Sequence, residues 1–145
     1  MKNYILILII FTLAFSQYDW QDNGVPIRQG IHIEWQRTGD NGSDGEMIFA
    51  WSDTRYGGRD IYAQKVNVNG ASMWGSEGSP VVLEAGRQED PILVTDGNGG
   101  AYIIWVDYRD EPDHGDIYAQ HIQSDGSISW DASGIALTNV VGKQV

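Results

Sequence analysis

A block of about fifty-five residues is repeated in this chain. The pentapeptide DIYAQ stands at residues 60–64 and returns at residues 116–120, 56 positions later. The pattern W-x-D-x-R stands at residues 51–55 and returns at residues 105–109. A third element, W-x-x-x-G, occurs three times, at residues 20–24, 74–78 and 130–134. A fixed period of this size indicates a fold that stacks one supersecondary unit, so the repeat constrains the architecture before any single residue is considered.

Residues 1–16 have the pattern of a secretory signal peptide. Lys2 supplies a positive charge, residues 4–15 form a nearly unbroken apolar run, and Ala14 and Ser16 put small residues at the cleavage positions. The run is shorter than the roughly 20 residues that a membrane-spanning helix needs, and no cysteine follows it for lipid attachment. We expect cleavage before Gln17, export to the cell surface or beyond, and no membrane span after cleavage.

The composition excludes several classes of partner. The formal net charge is −11, whereas binding to nucleic acid or to an anionic membrane surface needs clustered Lys and Arg. The chain has no cysteine, so no disulfide stabilises it outside the cell. The six Trp and seven Tyr are then the main supply of buried area. We therefore expect an exported protein of ordinary domain size that does not bind nucleic acid.

Short stretches rich in aromatic and β-branched residues, separated by Gly, Asn and Asp, predict four strands in each copy. In the first copy they are residues 32–37, 46–53, 60–68 and 71–74. In the second copy they are residues 91–95, 101–107, 116–123 and 127–130. The copies span residues 31–86 and 87–142, preceded by an outer strand at 17–30 and followed by the start of a further copy at 143–145. The fold class is therefore predicted to be all-β.

Most of these strands are apolar on both faces, which favours blades of a β-propeller over a sandwich, whose strands would alternate more cleanly. A propeller needs about four to eight blades to close. Two copies and a preceding outer strand do not supply them, so we expect this chain to be a fragment of a longer propeller. The further blades would come from sequence beyond Val145, or from homo-oligomerisation.

The run of W-x-D-x-R, DIYAQ, G and W-x-x-x-G resembles the repeats of exported bacterial β-propeller proteins. Many proteins of that class are large surface proteins with a C-terminal type IX secretion sorting domain. The resemblance covers about residues 20–144, and it implies the propeller fold and a location at the cell surface. It implies no particular activity, and it does not supply the export route, because these 145 residues contain no sorting domain.

The residues that recur in both copies are predicted to be structural, because a catalytic site for one substrate needs only one set of groups. Arg55 and Arg109 are expected to bind the acidic residue that opens the third strand, and the tryptophans to separate neighbouring blades rather than to stack on sugars. The predicted structural network comprises Trp51, Asp53, Arg55, Asp60, Tyr62, Gln64 and Trp74, with Trp105, Asp107, Arg109, Asp116, Tyr118, Gln120 and Trp130.

The residues without an equivalent in the other copy are the candidates for ligand contact: Trp35, Tyr56, Tyr108, Glu111, Asp113 and His114. Residues 111–114 offer two carboxylates and an imidazole, but one loop is weak evidence for a metal. Residues 40–46 resemble a calcium loop, yet Trp51 stands where the closing Glu should be, so a hairpin turn is the better interpretation. We predict no metal site and no cofactor, with calcium as the one candidate kept open.

The function predicted from the sequence is that of an exported propeller scaffold that binds a polysaccharide or a surface protein through its variable loops. No catalytic residue is assigned. Two alternatives stay open: an extracellular glycan hydrolase or lyase of propeller fold, which needs an asymmetric pair of carboxylates, and a small lectin that forms a ring from several short chains.

Overall fold

A computed structural model describes residues 24, 26–27, 34–42 and 45–138, with backbone alone for residues 34–38. This part of the chain contains eight strands and no helix, which confirms the all-β prediction. The strands are β1 Glu34–Asn41, β2 Met47–Asp53, β3 Asp60–Val66, β4 Ser79–Val82, β5 Gln88–Thr95, β6 Ala101–Asp107, β7 Asp116–Ile122 and β8 Ile135–Ala136. The predicted signal peptide and residues 143–145 lie outside the described residues. The predicted outer strand at 17–30 does too, apart from Gly24, Pro26 and Ile27, which are in no strand.

The strands form two antiparallel four-stranded sheets, each in chain order. The first sheet is β1-β2-β3-β4 and the second is β5-β6-β7-β8. The central hairpins have the same register, since β2 and β3 pair from Met47–Val66 to Asp53–Asp60, and β6 and β7 pair from Ala101–Ile122 to Asp107–Asp116. In both sheets the first strand also has a register shift at the same place. No helix in residues 34–42 and 45–138 is long and apolar enough to cross a membrane.

The sheets stack face to face with a defined polarity. Side chains alternate between the two faces of a strand, and we call the face that carries Ile48, Ala50, Ile61, Ala63 and Lys65 the front face of the first sheet. The same register puts Tyr102, Ile104, Ile117, Ala119 and His121 on the front face of the second sheet. The opposite faces are the back faces.

The front face of the first sheet packs on the back face of the second. One buried cluster joins Ile48, Ala50, Ile61, Ala63, Trp74, Val81 and Val82 with Leu93, Ala101, Ile103, Trp105 and Ile122. Polar contacts fix the register of this packing. The Ser52 hydroxyl donates to the carbonyl of Gln88 at 2.7 Å, and Lys65 Nζ donates to the carbonyl of Gly99 at 3.1 Å.

The predicted fourth strands at residues 71–74 and 127–130 are wrong. Those segments make one isolated bridge each, Val66–Ser72 and Ile122–Ile128, and the strands that complete the sheets are β4 and β8. The reason is that the W-x-x-x-G element interrupts the outer strand. Gly78 and Gly134 bring the chain back to the sheet with positive φ, and an added Cβ at either would lie within 2.7 Å of a tryptophan ring.

Candidate functional site

The repeated residues on the back face of each hairpin form one contact cluster per sheet, which we call the Trp–Asp–Arg–Tyr cluster. In the second sheet Trp105 Nε1 donates to Asp107 Oδ2 at 2.8 Å, and the Arg109 guanidinium donates to both carboxylate oxygens of Asp107 at 2.9 and 2.5 Å. The guanidinium lies 4.0 Å from the centre of the Tyr118 ring. Trp51, Asp53, Arg55 and Tyr62 repeat this arrangement in the first sheet.

The predicted partner of the arginines is wrong. Arg55 and Arg109 pair with the aspartate that ends the second strand, Asp53 or Asp107, rather than with the one that opens the third, Asp60 or Asp116. In the first sheet burial alone would raise the pKa of Asp53, but the hydrogen bonds from Arg55 and Trp51 outweigh it and lower the pKa. The cluster therefore neutralises two buried charges within each sheet.

The recurring glutamines hold the interruption of the outer strand. Gln64 Oε1 accepts from the backbone N–H of Trp74 at 2.9 Å, while its Nε2 donates to the carbonyl of Gly75. Gln120 does the same with the N–H of Trp130 and the carbonyl of Asp131, at 3.0 and 2.7 Å. Each buried amide therefore replaces the ladder bonds that the outer strand loses where the W-x-x-x-G element leaves the sheet.

The connections at one end of the stacked sheets meet along an edge that we call the rim. It consists of residues 54–59 between β2 and β3, residues 83–87 between β4 and β5, and residues 108–115 between β6 and β7. The backbone N–H of Gln88 donates to the carbonyl of Arg59 at 2.6 Å, and the N–H of Tyr108 donates to the carbonyl of Arg87 at 2.9 Å. The three connections are therefore tied together.

A groove of about 570 Å³ opens on the rim beside the first sheet. We call it the rim groove, and it is lined by Tyr56, Gly57, Gly58, Asp60, Leu83, Glu84, Ala85 and Gly86. Tyr56, one of the predicted ligand contacts, is 75% exposed and Leu83 is 49% exposed. The groove therefore combines an exposed aromatic ring, an apolar side chain and two carboxyl groups.

The two carboxyl groups of the rim groove have different environments. Asp60 is buried, and this burial raises its pKa. The backbone N–H of Glu84 donates a hydrogen bond to the Asp60 carboxylate, which lowers the pKa but by less than burial raises it. Glu84 is half-buried and accepts a hydrogen bond from the hydroxyl of Ser133 in the second copy. One carboxyl group is therefore held in a poorly solvated position at the edge of an open groove, which is typical of functional sites.

The other predicted ligand contacts do not line the rim groove. Tyr108 is half-buried, and its ring lies 3.8 Å below the Arg87 guanidinium. Glu111 and His114 are exposed and bind one another at 3.0 Å, and Asp113 beside them is exposed as well. The backbone of Trp35 pairs with that of Ser52, at the end of the first sheet where the rim lies.

No three His, Asp or Glu side chains among residues 34–42 and 45–138 are placed to hold a metal ion. In the segment that resembles a calcium loop, Asp40 binds the second sheet instead. Its Oδ2 accepts from the N–H and the hydroxyl of Thr95, at 3.1 and 3.2 Å.

Two groups of residues were missed by the sequence reasoning. Glu84 and Leu83 in the β4–β5 connection line the rim groove. When the two copies are aligned in sequence, Glu84 corresponds to Val140, so its lack of repetition was the available signal. His121 binds Asp96 through Nε2 at 2.7 Å and Ser129 through Nδ1 at 2.9 Å. Its counterpart in the first copy is Lys65, so this group is unrepeated too.

No protein-family model, curated protein or solved structure matches this chain.

Proposed function

We propose that the two sheets are consecutive blades of a β-propeller. Two observations support this: each sheet is a four-stranded meander in chain order, and the front face of one packs on the back face of the next. Repetition of the same step would turn the blades around one axis, as closed propellers do. The rim would then lie on the surface formed by the connections between strands, where propeller-like scaffolds carry variable residues.

We further propose that the protein is an exported scaffold that binds a carbohydrate in the rim groove. The observation that carries this proposal is an open groove whose lining includes an exposed tyrosine, Tyr56, and the carboxyl groups of Asp60 and Glu84. An aromatic ring offers a flat apolar surface to a sugar face, and carboxylates accept hydrogen bonds from hydroxyl groups. Export rests on the predicted signal peptide.

The charge narrows the class of carbohydrate. The chain carries a formal net charge of −11, and the groove is lined by two carboxyl side chains and by no Lys or Arg. A uronate or a sulfated glycan would be repelled, whereas a neutral polysaccharide would meet acceptors for its hydroxyl groups. We therefore expect neutral glycans to be preferred over anionic glycans.

A glycan array with the purified exported chain tests this proposal. Neutral glycans are expected to bind, and Tyr56→Ala is expected to weaken binding at least about tenfold, because truncation of a central aromatic contact exceeds 1.4 kcal/mol. Tyr108→Ala is the matched control, since its ring is on the same rim but outside the groove. Equal affinity of Tyr56→Ala and the unchanged protein would exclude the groove, and a preference for anionic glycans would exclude the assigned class.

Cleavage of a glycan is the second candidate function, because the groove holds an asymmetric pair of carboxyl groups. Asp60 has a raised pKa and Glu84 is more exposed, which is the division expected of a general acid and its partner. Glu84→Gln and Asp60→Asn would then each abolish release of reducing ends from a neutral polysaccharide. Binding without any such release would leave the scaffold function alone.

A further inference from the structure

Three side chains on the front face of the second sheet form a hydrogen-bonded series, which we call the Ser–His–Asp triad. The hydroxyl of Ser129 lies 2.9 Å from Nδ1 of His121, and Nε2 of His121 lies 2.7 Å from Oδ2 of Asp96. Ser129 is exposed, His121 is half-buried, and the side chain of Asp96 is only 8% exposed. A serine, an imidazole and a carboxylate in this order are the groups that nucleophilic catalysis uses.

The two bonds of His121 fix the position of its proton. A carboxylate only accepts hydrogen bonds, so in the neutral imidazole Nε2 carries the hydrogen and donates it to Asp96. Nδ1 then has a free lone pair and accepts from the hydroxyl of Ser129. The two nitrogens exchange the places that they have in serine proteases, which leaves the path of the proton unchanged. His121 is therefore oriented as a base toward Ser129.

The carboxylate of Asp96 is held in place through its other oxygen. Oδ1 accepts the backbone N–H of Asn98 at 2.7 Å and that of Gly100 at 3.0 Å. Burial would raise the pKa of Asp96, but the hydrogen bonds from His121 and from these two N–H groups outweigh it and lower the pKa. Asp96 therefore stays ionised and orients the imidazole.

The triad is not repeated, and the first sheet shows that the serine position stays accessible. The residues of the first copy that correspond to Asp96, His121 and Ser129 are Gly42, Lys65 and Met73. Met73 is 45% exposed, although the second sheet packs on the front face of the first. Ser129 therefore occupies an edge that a neighbouring sheet leaves open.

The surface beside the triad is apolar and aromatic. The ring of Tyr102 stacks on that of His121 with their centres 4.6 Å apart, and the ring centre of Trp130 is 6.1 Å from that of His121. Val94 pairs with Tyr102 in the register of β5 and β6 and is 54% exposed. A flat uncharged group would bury apolar area here. An anionic group would be repelled by Asp96 and by the net charge of −11.

The backbone beside the nucleophile sets a second limit on the substrate. Acyl transfer develops an oxyanion, which backbone N–H groups near the nucleophile often stabilise. Here the N–H of Ser129 donates to the carbonyl of His121 at 2.8 Å, and the N–H of Trp130 donates to Gln120 at 3.0 Å. Neither N–H is available to an oxyanion, so a suitable ester needs a leaving group that departs readily, such as a phenolate.

We propose that the triad is an active site, separate from the rim groove, that hydrolyses neutral aryl esters through an acyl group on Ser129. The oxygen of Ser129 attacks the ester carbonyl carbon, and Nδ1 of His121 takes its proton. A bond from the carbonyl carbon to the serine oxygen forms, the bond to the phenol oxygen breaks, and His121 passes the proton to the departing phenolate. A water molecule that His121 deprotonates then attacks the acyl group, which releases the carboxylic acid and restores the serine.

This activity does not depend on the proposed carbohydrate binding. Tyr102 and His121 pair at one end of the β6–β7 hairpin, and Asp107 pairs with Asp116 at the other end, where the rim lies. Failure of one proposal therefore leaves the other intact.

Reaction of the purified exported chain with p-nitrophenyl butyrate tests the proposal. We expect release of nitrophenolate and, after an acid quench, a butyryl group on Ser129 that peptide mass spectrometry detects. Ser129→Ala and His121→Gln should each slow the release at least about 100-fold, which is the size of a general-base contribution. Ser127→Ala is the matched control, because its hydroxyl is exposed on the same turn but bonds Asp125. Near-UV circular dichroism shows whether each variant keeps its tertiary packing.

Asp96 is a positioning residue, and nitrogen NMR of the His121 ring tests that role separately from stability. The unchanged chain should contain the Nε2–H tautomer. Asp96→Asn should shift it toward the Nδ1–H tautomer and slow the release, because an amide can donate to Nε2 and a carboxylate cannot. Release by Ser129→Ala equal to that by the unchanged chain overturns the proposal, and so does a butyryl group on His121 alone. An unchanged tautomer in Asp96→Asn overturns the role assigned to Asp96.

Discussion

At the scale of single residues, the repeat predicts which side chains act together but not how they pair. The predicted structural network includes Trp51, Asp53, Arg55 and Tyr62 among its members, and these four side chains are in contact in the structure. The sequence reasoning assigned Arg55 to Asp60 because that residue opens the next strand. The structure differs because the chain turns back directly after β2, so the N–H of Arg55 already bonds Asp53 Oδ1 at 2.9 Å and its guanidinium follows.

Loss of one partner of the buried ion pair should destabilise the fold. We expect Asp107→Asn to lower the free energy of unfolding by about 3 kcal/mol, since it leaves the Arg109 guanidinium largely buried without its counter-charge. Urea denaturation followed by tryptophan fluorescence measures this change. Asp110→Asn is the matched control, because Asp110 is exposed and should change stability by less than about 0.5 kcal/mol. Equal effects of the two substitutions would contradict a structural role for the cluster.

Asp53 and Asp60 should respond to pH in opposite directions. The pKa of Asp53 is lowered in the folded protein, so its contribution to stability is present above its unfolded pKa and is lost as pH falls through its folded pKa. The pKa of Asp60 is raised by burial, so its carboxylate opposes folding at neutral pH and protonation relieves this as pH falls.

We therefore expect Asp60→Asn to raise the melting temperature at neutral pH, with a gain that disappears once the pH is below the folded pKa of Asp60. Asp53→Asn should lower the melting temperature at neutral pH, and its effect should shrink in acid. Thermal unfolding of both variants over a pH series measures the two trends. A loss of stability in Asp60→Asn at neutral pH would show that Asp60 is a structural residue rather than a strained member of the rim groove.

At the scale of elements, the central hairpins are predictable and the outer strands are not. The predicted strand 101–107 matches β6, and the predicted starts of β3 and β7 are also correct. These strands have β-branched and aromatic residues at successive positions and a sharp polar boundary. The outer strand has no such run. Part of its hydrogen bonding is made by the amide of Gln120 instead of by the backbone of a neighbouring strand. Propensity assigned it to residues 127–130, which bond to β7 only as far as Ser129, because Gln120 takes the backbone N–H of Trp130.

The amide of Gln120 should therefore contribute as much to the free energy of unfolding as the backbone hydrogen bonds of a short strand segment. We expect Gln120→Ala to lower the free energy of unfolding by about 2 kcal/mol, since it removes partners from the N–H of Trp130 and the carbonyl of Asp131 and leaves a buried void. Urea denaturation measures the loss. Gln123→Ala is the control, as Gln123 is exposed on the same sheet. A change below about 0.5 kcal/mol in Gln120→Ala would refute the proposed clamp.

At the scale of the whole molecule, the repeat predicts the number of sheets and the strand order within each, but it does not predict the rim groove. Its Leu83 and Glu84 come from a connection that the sequence marks only by its lack of repetition, and they meet Tyr56 because β4 ends beside β3. The sequence favours the unrepeated residues of the longer loop, Glu111, Asp113 and His114, as ligand contacts. They lie elsewhere on the rim, since the groove is lined by the β2–β3 and β4–β5 connections and by Asp60.

The two equivalent tryptophans give the sharpest test of how the sheets are stacked. Trp74→Ala should lower the free energy of unfolding by about 3–5 kcal/mol, because its ring is buried between the sheets and its indole Nε1–H donates to the carbonyl of Ser124. Trp130→Ala removes an identical but 37% exposed side chain from the front face of the second sheet, so it should lower the free energy of unfolding by only about 1 kcal/mol. Urea denaturation of both variants at low protein concentration measures the contrast. Similar losses would mean that the two rings have similar surroundings, and front-to-back stacking of the two sheets would then be wrong.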